Sequence, residues 1–209
     1  MVLKHDLEFD ALVRGSGVVV HLGSHQGRGW EAVREQVGQS LVKICQTTAP
    51  ASRLLIENSA GQNGKLCSDL SEIRWLFDYL SKELGQATVD SRFGWCLDTC
   101  HAFCAGYALG NEALATGLGR GKQLADAITE SQLWDGLKVI HVNDSRDPFA
   151  SGKDRHANIG DGQIPAADLK HFLNLPQVKP IPLIMEVPGL EGEGPDAENI
   201  NRLKAIAKA

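Results

Sequence analysis

Apolar residues fall into two periodicities along this chain. Continuous short runs, 17–22, 53–57, 93–98, 137–142 and 181–187, alternate with stretches in which apolar residues recur every three to four positions. The short runs predict strands buried on both faces, and the longer stretches predict amphipathic helices. One helix is expected near 29–46, with Trp30, Val33, Val37, Leu41 and Ile44 on one side. A second begins at Asp69, whose side chain caps it while Glu72 completes a capping box, and carries Leu70, Ile73, Phe77, Leu80 and Leu84. A third, within 111–130, is interrupted by Gly117, Gly119 and Gly121. Pro165 opens a fourth ending near Leu173, and a last one runs from about Asp196 with Ile200, Leu203 and Ile206. The polar stretch Lys4 to Glu8 also reads as helix. Strands alternating with helices in one chain predict an α/β fold with a parallel sheet, of the (β/α) barrel type, in a single domain.

The ends of the strands carry chemistry. Val18-Val19-Val20 is followed by His21, Leu54-Leu55-Ile56 by Glu57, Cys96-Leu97 by Asp98, Val139-Ile140 by His141, and Ile184-Met185 by Glu186. One ionisable residue after an apolar run is usually a strand reaching water. Five in succession, all of metal-ligand type, predict a site on the rim formed by the C-terminal strand ends, suited to zinc or manganese. His101 follows Asp98 by three residues. A second constellation lies in Lys153-Asp154-Arg155-His156. In an extended loop Asp154 and His156 point the same way, and Arg155 points elsewhere, free to meet a phosphate.

Composition adds bounds. The 209 residues suffice for one sizeable core, and no apolar run approaches the ~18 residues of a membrane span. The N-terminus lacks the apolar core of a signal peptide. Five cysteines are read as reduced thiols of a cytosolic protein. Cys96, Cys100 and Cys104 can be written as a metal triplet, but small buried residues are the better reading. The net charge of −5 argues against nucleic acid only if the site is metal-free. Three divalent ions would bring the chain close to neutral and set the positive charge inside the cleft.

Four stretches resemble the endonuclease IV family of apurinic/apyrimidinic endonucleases. They are His21-Leu22-Gly23-Ser24-His25, Glu57-Asn58-Ser59-Ala60-Gly61-Gln62, Leu97 to Phe103 with Gly106-Tyr107, and His141 to Ser145 with Asp154-Arg155-His156 and Gly160-Asp161-Gly162. The likeness extends from about Val18 to the end, with Leu22 where the family usually has proline and Ser59 where threonine is common. It implies a xylose isomerase-like barrel with up to three zinc ions. Glu57 would bridge the first two ions, and His21 would bind the first. Asp98, His141 and Glu186 would join Glu57 around the second, and His101, Asp154 and His156 would hold the third. Glu57, Glu186 and Arg155 are then the catalytic residues. The implied reaction is hydrolysis of the phosphodiester 5′ to an abasic site in duplex DNA, as part of base excision repair.

The family also has a further histidine and a DNA-wedging aromatic upstream of the segment matching His21. Twenty residues precede His21 here, whereas a barrel of this kind usually has ~250 residues at ~30 per βα unit. About two N-terminal units are therefore expected to be absent and Met1 not to be the natural start, with only His21 and Glu57 left for the first ion. Two other functions fit fewer residues. A metal-dependent sugar isomerase or epimerase would need Glu57, Asp98, His141 and Glu186 but not His101, Asp154 and His156. A non-catalytic remnant would keep the second and third metal sites alone.

Overall fold

A computed structural model describes residues 2–207. Helix α1 (Val2–Val13) leads into β1 (Val18–Val20), α2 (Trp30–Thr47), β2 (Leu54–Glu57), α3 (Leu70–Leu84), α4 (Gln86–Arg92), β3 (Phe93–Asp98) and α5 (Thr99–Cys104). The short α6 (Asn111–Leu114) and α7 (Leu124–Glu130) precede β4 (Leu137–His141), then a two-stranded ribbon of β5 (Asp144–Ser145) and β6 (His156–Ala157). Helix α8 (Ala166–Leu173), β7 (Leu183–Ile184) and α9 (Ala197–Ala207) complete the order. The five strand runs and the helices read from periodicity are all present, the third helix as two pieces on either side of its glycines.

Strands β1, β2, β3, β4 and β7 form one sheet in that order, every pair parallel. Sequential order means a singly wound sheet, the topology of a barrel wall; a doubly wound fold reverses direction at a switch point. The packing agrees. Val18, Val20, Leu54, Ile56, Trp95, Leu97 and Ile140 belong to the large core that holds the helices. Their alternates Val19, Leu55, Cys96 and Val139 form a separate small cluster on the other face, with no helix residue in it. All helices thus cover one face, and the inner face is left to the strands.

One irregularity keeps this parity. Trp95 pairs with Leu137 but Cys96 with Val139, so Lys138 is an extra residue, a β-bulge. Gly94 makes room on the inner face, because a Cβ there would lie 2.6 Å from Lys138 Cγ and 2.9 Å from Leu55 Cδ2.

Helix α3 starts at Asp69, which accepts from the Ser71 amide at 2.9 Å. Glu72 does not close a capping box on Asp69; it reaches further back, to the Cys67 amide at 2.6 Å. The long helices meet through aromatics. Trp30 packs edge-on against Trp75 at 5.6 Å, Trp75 stacks on Tyr79 at 5.1 Å, and the Arg34 guanidinium lies 5.0 Å from the Trp75 ring. No helix of the described residues is long and apolar enough to cross a membrane.

Candidate metal centre

The inner face continues past its apolar layer into polar side chains. Two residues beyond Val19, Leu55, Cys96 and Val139 stand His21, Glu57, Asp98 and His141, and two beyond Ile184 stands Glu186. Strand alternation turns each of these onto the same side as the apolar residue before it. The register makes the row slant: Glu57 pairs with Cys96, Asp98 with His141, and His141 with Ile184. Such a stagger accompanies the tilt of barrel strands.

Glu57, Asp98, His141 and Glu186 each offer a ligand atom within 4.8 Å of the others. The two oxygens of Glu57 are divided. Oε2 faces His21 Nε2 at 3.3 Å, and Oε1 lies 3.0 Å from His141 Nδ1. Glu186 Oε2 lies 2.9 Å from the same His141 nitrogen. His101 comes in from α5, a helix that Asp98 itself caps by accepting the His101 amide at 2.8 Å. One residue thus ends the strand as a candidate ligand and starts the helix that carries the next. His101 Nε2 meets Asp154 Oδ1 at 2.9 Å, and His156 Nε2 lies 3.7 Å from that oxygen and 3.5 Å from Asp98 Oδ2.

The structure therefore brings together all eight residues read as metal ligands. The grouping is less partitioned than expected. His101, Asp154 and His156, expected to act as one set, are divided between two groups: His21 with His101 and Asp154, and Asp98 with His101 and His156; Cys96 forms a further group with Glu57 and His141. The rings of His21, His101 and His156 follow one another at centroid spacings of 5.2 and 5.4 Å, so the third set and the first share a border at His101.

Two amides hold this cluster and were not singled out from sequence. Asn58 Nδ2 donates to the Asp98 carbonyl at 3.2 Å, and its Oδ1 accepts the Asp98 amide at 2.6 Å. Asn143 Nδ2 donates to Asp98 Oδ2 at 2.6 Å, and its Oδ1 accepts the Glu186 amide at 2.8 Å. The sequence signal available was an amide one residue after Glu57 and another two after His141. Main-chain carbonyls also orient the imidazoles. His101 Nδ1 is 3.0 Å from the Asn58 carbonyl and His156 Nδ1 is 3.3 Å from that of Glu186. Donation by each Nδ1–H leaves Nε2 as the ligand nitrogen, a common outer arrangement of metal-binding histidines.

The electrostatics follow from crowding acids and imidazoles in one partly buried cleft. Burial disfavours the charged form of His101, but Asp98, Asp154 and Glu57 outweigh it and push the imidazole up to about 9. His141 also resists burial; hydrogen bonds with Cys96, Glu186 and Glu57 push it up to about 12. The His101 hydrogen bond, with Lys65 beyond it, holds Asp154 well below the usual carboxylate range, and His141 lowers Glu186. Protons on His101 and His141 thus balance the carboxylates, and a divalent cation is what would displace them. One observation tests the fit directly: His156 Nε2 is buried and has no hydrogen-bond partner among the described residues. A buried nitrogen beside two carboxylates, with its other nitrogen satisfied, fits a metal-ion ligand.

Arg155 stands otherwise than expected. Its guanidinium forks onto Asp147, with Nε–Oδ2 at 2.6 Å and a second contact from Nη2 to Oδ1. It is engaged, not free. His25 is a loop residue whose Nδ1 accepts from the Gly27 and Gly29 amides at 3.1 and 3.2 Å. His5 lies exposed on α1, 3.6 Å from Glu8, and joins none of the candidate metal groups. Cys96, Cys100 and Cys104 are buried free thiols that do not form a metal triplet among the described residues. The ribbon carrying Asp154 and His156 is braced by Asp144, whose carboxylate accepts the amides of Gly160, Gly162 and Ile164 at 3.0–3.1 Å. Gly162 is required there, since a Cβ would lie 2.3 Å from Asp144 Oδ1.

A singly wound parallel sheet with side chains of metal-ligand type along its C-terminal ends marks a TIM-type barrel protein. Residues 3–206 match the family described as xylose isomerase-like TIM barrel. The chain is 36% identical over 202 residues to a probable endonuclease 4 of Halothermothrix orenii, covering 97% of this chain and 68% of that protein. It is 35% identical to a probable endonuclease 4 of Methanoculleus marisnigri, covering 92% and 64%. The crystal structure of endonuclease IV from Thermus thermophilus superposes with a TM-score of 0.74 at 30% identity, covering 98% of this chain and 66% of that one. The chain belongs to the endonuclease IV family and spans about two thirds of the length of these relatives.

Proposed function

We propose that this chain is a metal-dependent phosphodiesterase that hydrolyses duplex DNA on the 5′ side of abasic sites, with zinc as the metal and manganese as an alternative. The observation that carries the reading is the divided Glu57 carboxylate, one oxygen on the His21 side and the other on the His141 side. A carboxylate so placed serves two ligand sets at once. His101, Asp154 and His156 extend the cluster beyond the four residues that a single-ion site requires. Bound divalent ions would supply Lewis acidity toward the phosphate and a water made acidic at neutral pH. The protein's part is orientation: Asn58 and Asn143 fix Asp98, main-chain carbonyls fix His101 and His156, and burial of Glu57 and Asp98 keeps bulk water from competing. No nucleotide base need enter such a site, which suits a lesion that lacks one. Five buried free thiols accord with a cytoplasmic location.

The test is nicking of an abasic-site duplex by wild type and Glu57→Gln, with the product's ends identified. A neutral amide cannot serve two cations. The loss should be about 4 kcal/mol of transition-state stabilisation, roughly a thousandfold in rate, and the wild-type product should carry a 3′-hydroxyl. Near-normal cleavage by Glu57→Gln would sink the shared-carboxylate mechanism. The four-residue group Glu57, Asp98, His141 and Glu186 would also serve a sugar isomerase or epimerase. Ketose–aldose conversion without nicking would establish that reading instead.

A further inference from the structure

Among the candidate metal-binding carboxylates, Asp154 alone is held by a lysine among the described residues. Lys65 Nζ lies 2.8 Å from Asp154 Oδ2, while Oδ1 of the same carboxylate faces His101. The two partners are 89 residues apart in sequence, and the fold brings them together in a defined way. Ser24 and Lys65 form an antiparallel bridge between the loops after β1 and β2. Flanking bonds fix it: the His25 amide to the Gly64 carbonyl at 3.0 Å, the Leu66 amide to the Gly23 carbonyl at 2.9 Å, and Ser24 Oγ to the Asn63 carbonyl at 2.7 Å. The lysine stem is therefore anchored on the rim of the site.

The head of that lysine is not used up. An ammonium has three N–H donors; one meets Asp154, and the side chain remains 36% exposed. Of the other cations of the neighbouring loops, Arg146 is exposed and belongs to none of the ligand groups, and three are engaged elsewhere. Arg155 and Lys153 both pair with Asp147, and Arg28 points Nε at the His25 carbonyl. In a chain of net charge −5, a fixed cation touching the ligand cluster is the group to meet an anionic substrate.

We propose that Lys65 is a phosphate-contacting residue of this site, held by Asp154 so that its remaining N–H groups meet a backbone phosphate of the bound duplex. The inference rests on the phosphodiesterase reading above and adds to it a named cation that reads charge and not sequence. It differs from a purely structural role, in which Lys65 would act only by orienting Asp154 as a ligand.

The experiment measures equilibrium binding of the nicked product duplex, which is not consumed, to wild type, Lys65→Met and Lys65→Arg by fluorescence anisotropy across a KCl series. Metal content of each protein is measured by elemental analysis. A lost phosphate contact should make the slope of log K against log [salt] shallower by about 0.9 and weaken binding about tenfold at low salt. Lys65→Met is expected to show both with its metal content unchanged, and Lys65→Arg to keep the wild-type slope. An unchanged slope in Lys65→Met overturns the proposal. So does a shallower slope accompanied by loss of a metal ion, because Lys65 would then act through Asp154 alone. If wild type neither nicks an abasic duplex nor binds the product, the phosphodiesterase reading has failed and this inference falls with it; that failure shows in wild type and not in the variants.

Discussion

Asn143→Ala tests whether the neutral amides organise the ligands. Asn143 is fully buried and its side chain makes two bonds, Nδ2 to Asp98 Oδ2 at 2.6 Å and Oδ1 from the Glu186 amide at 2.8 Å. A hydrogen bond to an ionised carboxylate contributes about 1.5–3 kcal/mol, and a neutral one about 0.5–1.5 kcal/mol. Alanine removes both and leaves a buried amide and a carboxylate oxygen without their partner. The metal-free protein should lose about 2–4 kcal/mol, a large share of the roughly 5–15 kcal/mol of a typical domain. A second effect appears only with metal. Removing an outer partner of a ligating carboxylate costs about 10–100-fold in affinity, or about 1.4–2.7 kcal/mol. Because a ligand that binds only the native state adds its binding energy to stability, the gap between wild type and variant should widen by that amount in excess zinc. Urea denaturation of both proteins in EDTA and in zinc supplies the four free energies. A loss below about 1 kcal/mol in EDTA would show that the two bonds contribute little. A gap of equal size in EDTA and zinc would show that Asn143 braces the fold without tuning the ligand, and the positioning argument would be refuted.

Asp154→Ala should lower the measured metal content by about one ion, because Asp154 contributes to the group of His21 and His101 and to neither group that contains Glu57; an unchanged count would reduce the loop to a charge cluster. In EDTA, stability should fall from about pH 6.5 to about pH 9. The folded-state value of His101 is raised from 6.5 to about 9, so its contribution is complete below the unfolded value and is lost as pH rises through the folded one; stability flat or rising over that window in urea titrations would contradict the proposed pairing. Zinc binding near pH 7.5 should release protons, read by calorimetry in buffers of different ionisation enthalpy, since ligand nitrogens that carry protons must give them up. Proton-neutral uptake would place the metal elsewhere.

Much of this arrangement is legible in the amino-acid sequence. Strand ends are punctuated by a change from Val, Leu and Ile to one ionisable residue, and that change is local, so it can be read along the chain. The contacts that were not legible are those between distant segments. Arg155 looked free because Asp154 and His156 flank it, yet its partner Asp147 lies across the turn of the β5–β6 loop, eight residues away. Lys65 sits in a polar loop with no periodicity to mark it, and its partner is on another βα unit. The bulge at Lys138 leaves no signature either: Leu137, Val139 and His141 alternate as in a regular strand, while pairing puts Leu137 on the helix side. The same holds for Glu72, a capping-box residue by spacing, which finds the Cys67 amide because the preceding loop curls over the helix start. Local rules give which residue type stands at an end. Chain crossings decide what that residue touches.

The division between ligands and amides has a physical reason. Four carboxylates and four histidines in a cleft cannot hold fixed positions by their own attraction, because their charges change with every proton or cation gained. The His101 and Asp154 pairing would weaken when His101 gives up its proton, and the contacts of His141 with Glu57 and Glu186 depend on charge in the same way. Asn58 and Asn143 do not titrate. Their bonds to the Asp98 backbone, the Asp98 carboxylate and the Glu186 amide persist through those changes. Both are buried behind the ligands, where an ionisable residue in the same role would add its own desolvation cost. The layer beneath, Val19, Leu55, Cys96 and Val139, is small, and its one polar group, the Cys96 thiol, faces His141. Rigid neutral braces under a labile charged layer would let the proposed site exchange protons for metal without moving its strands.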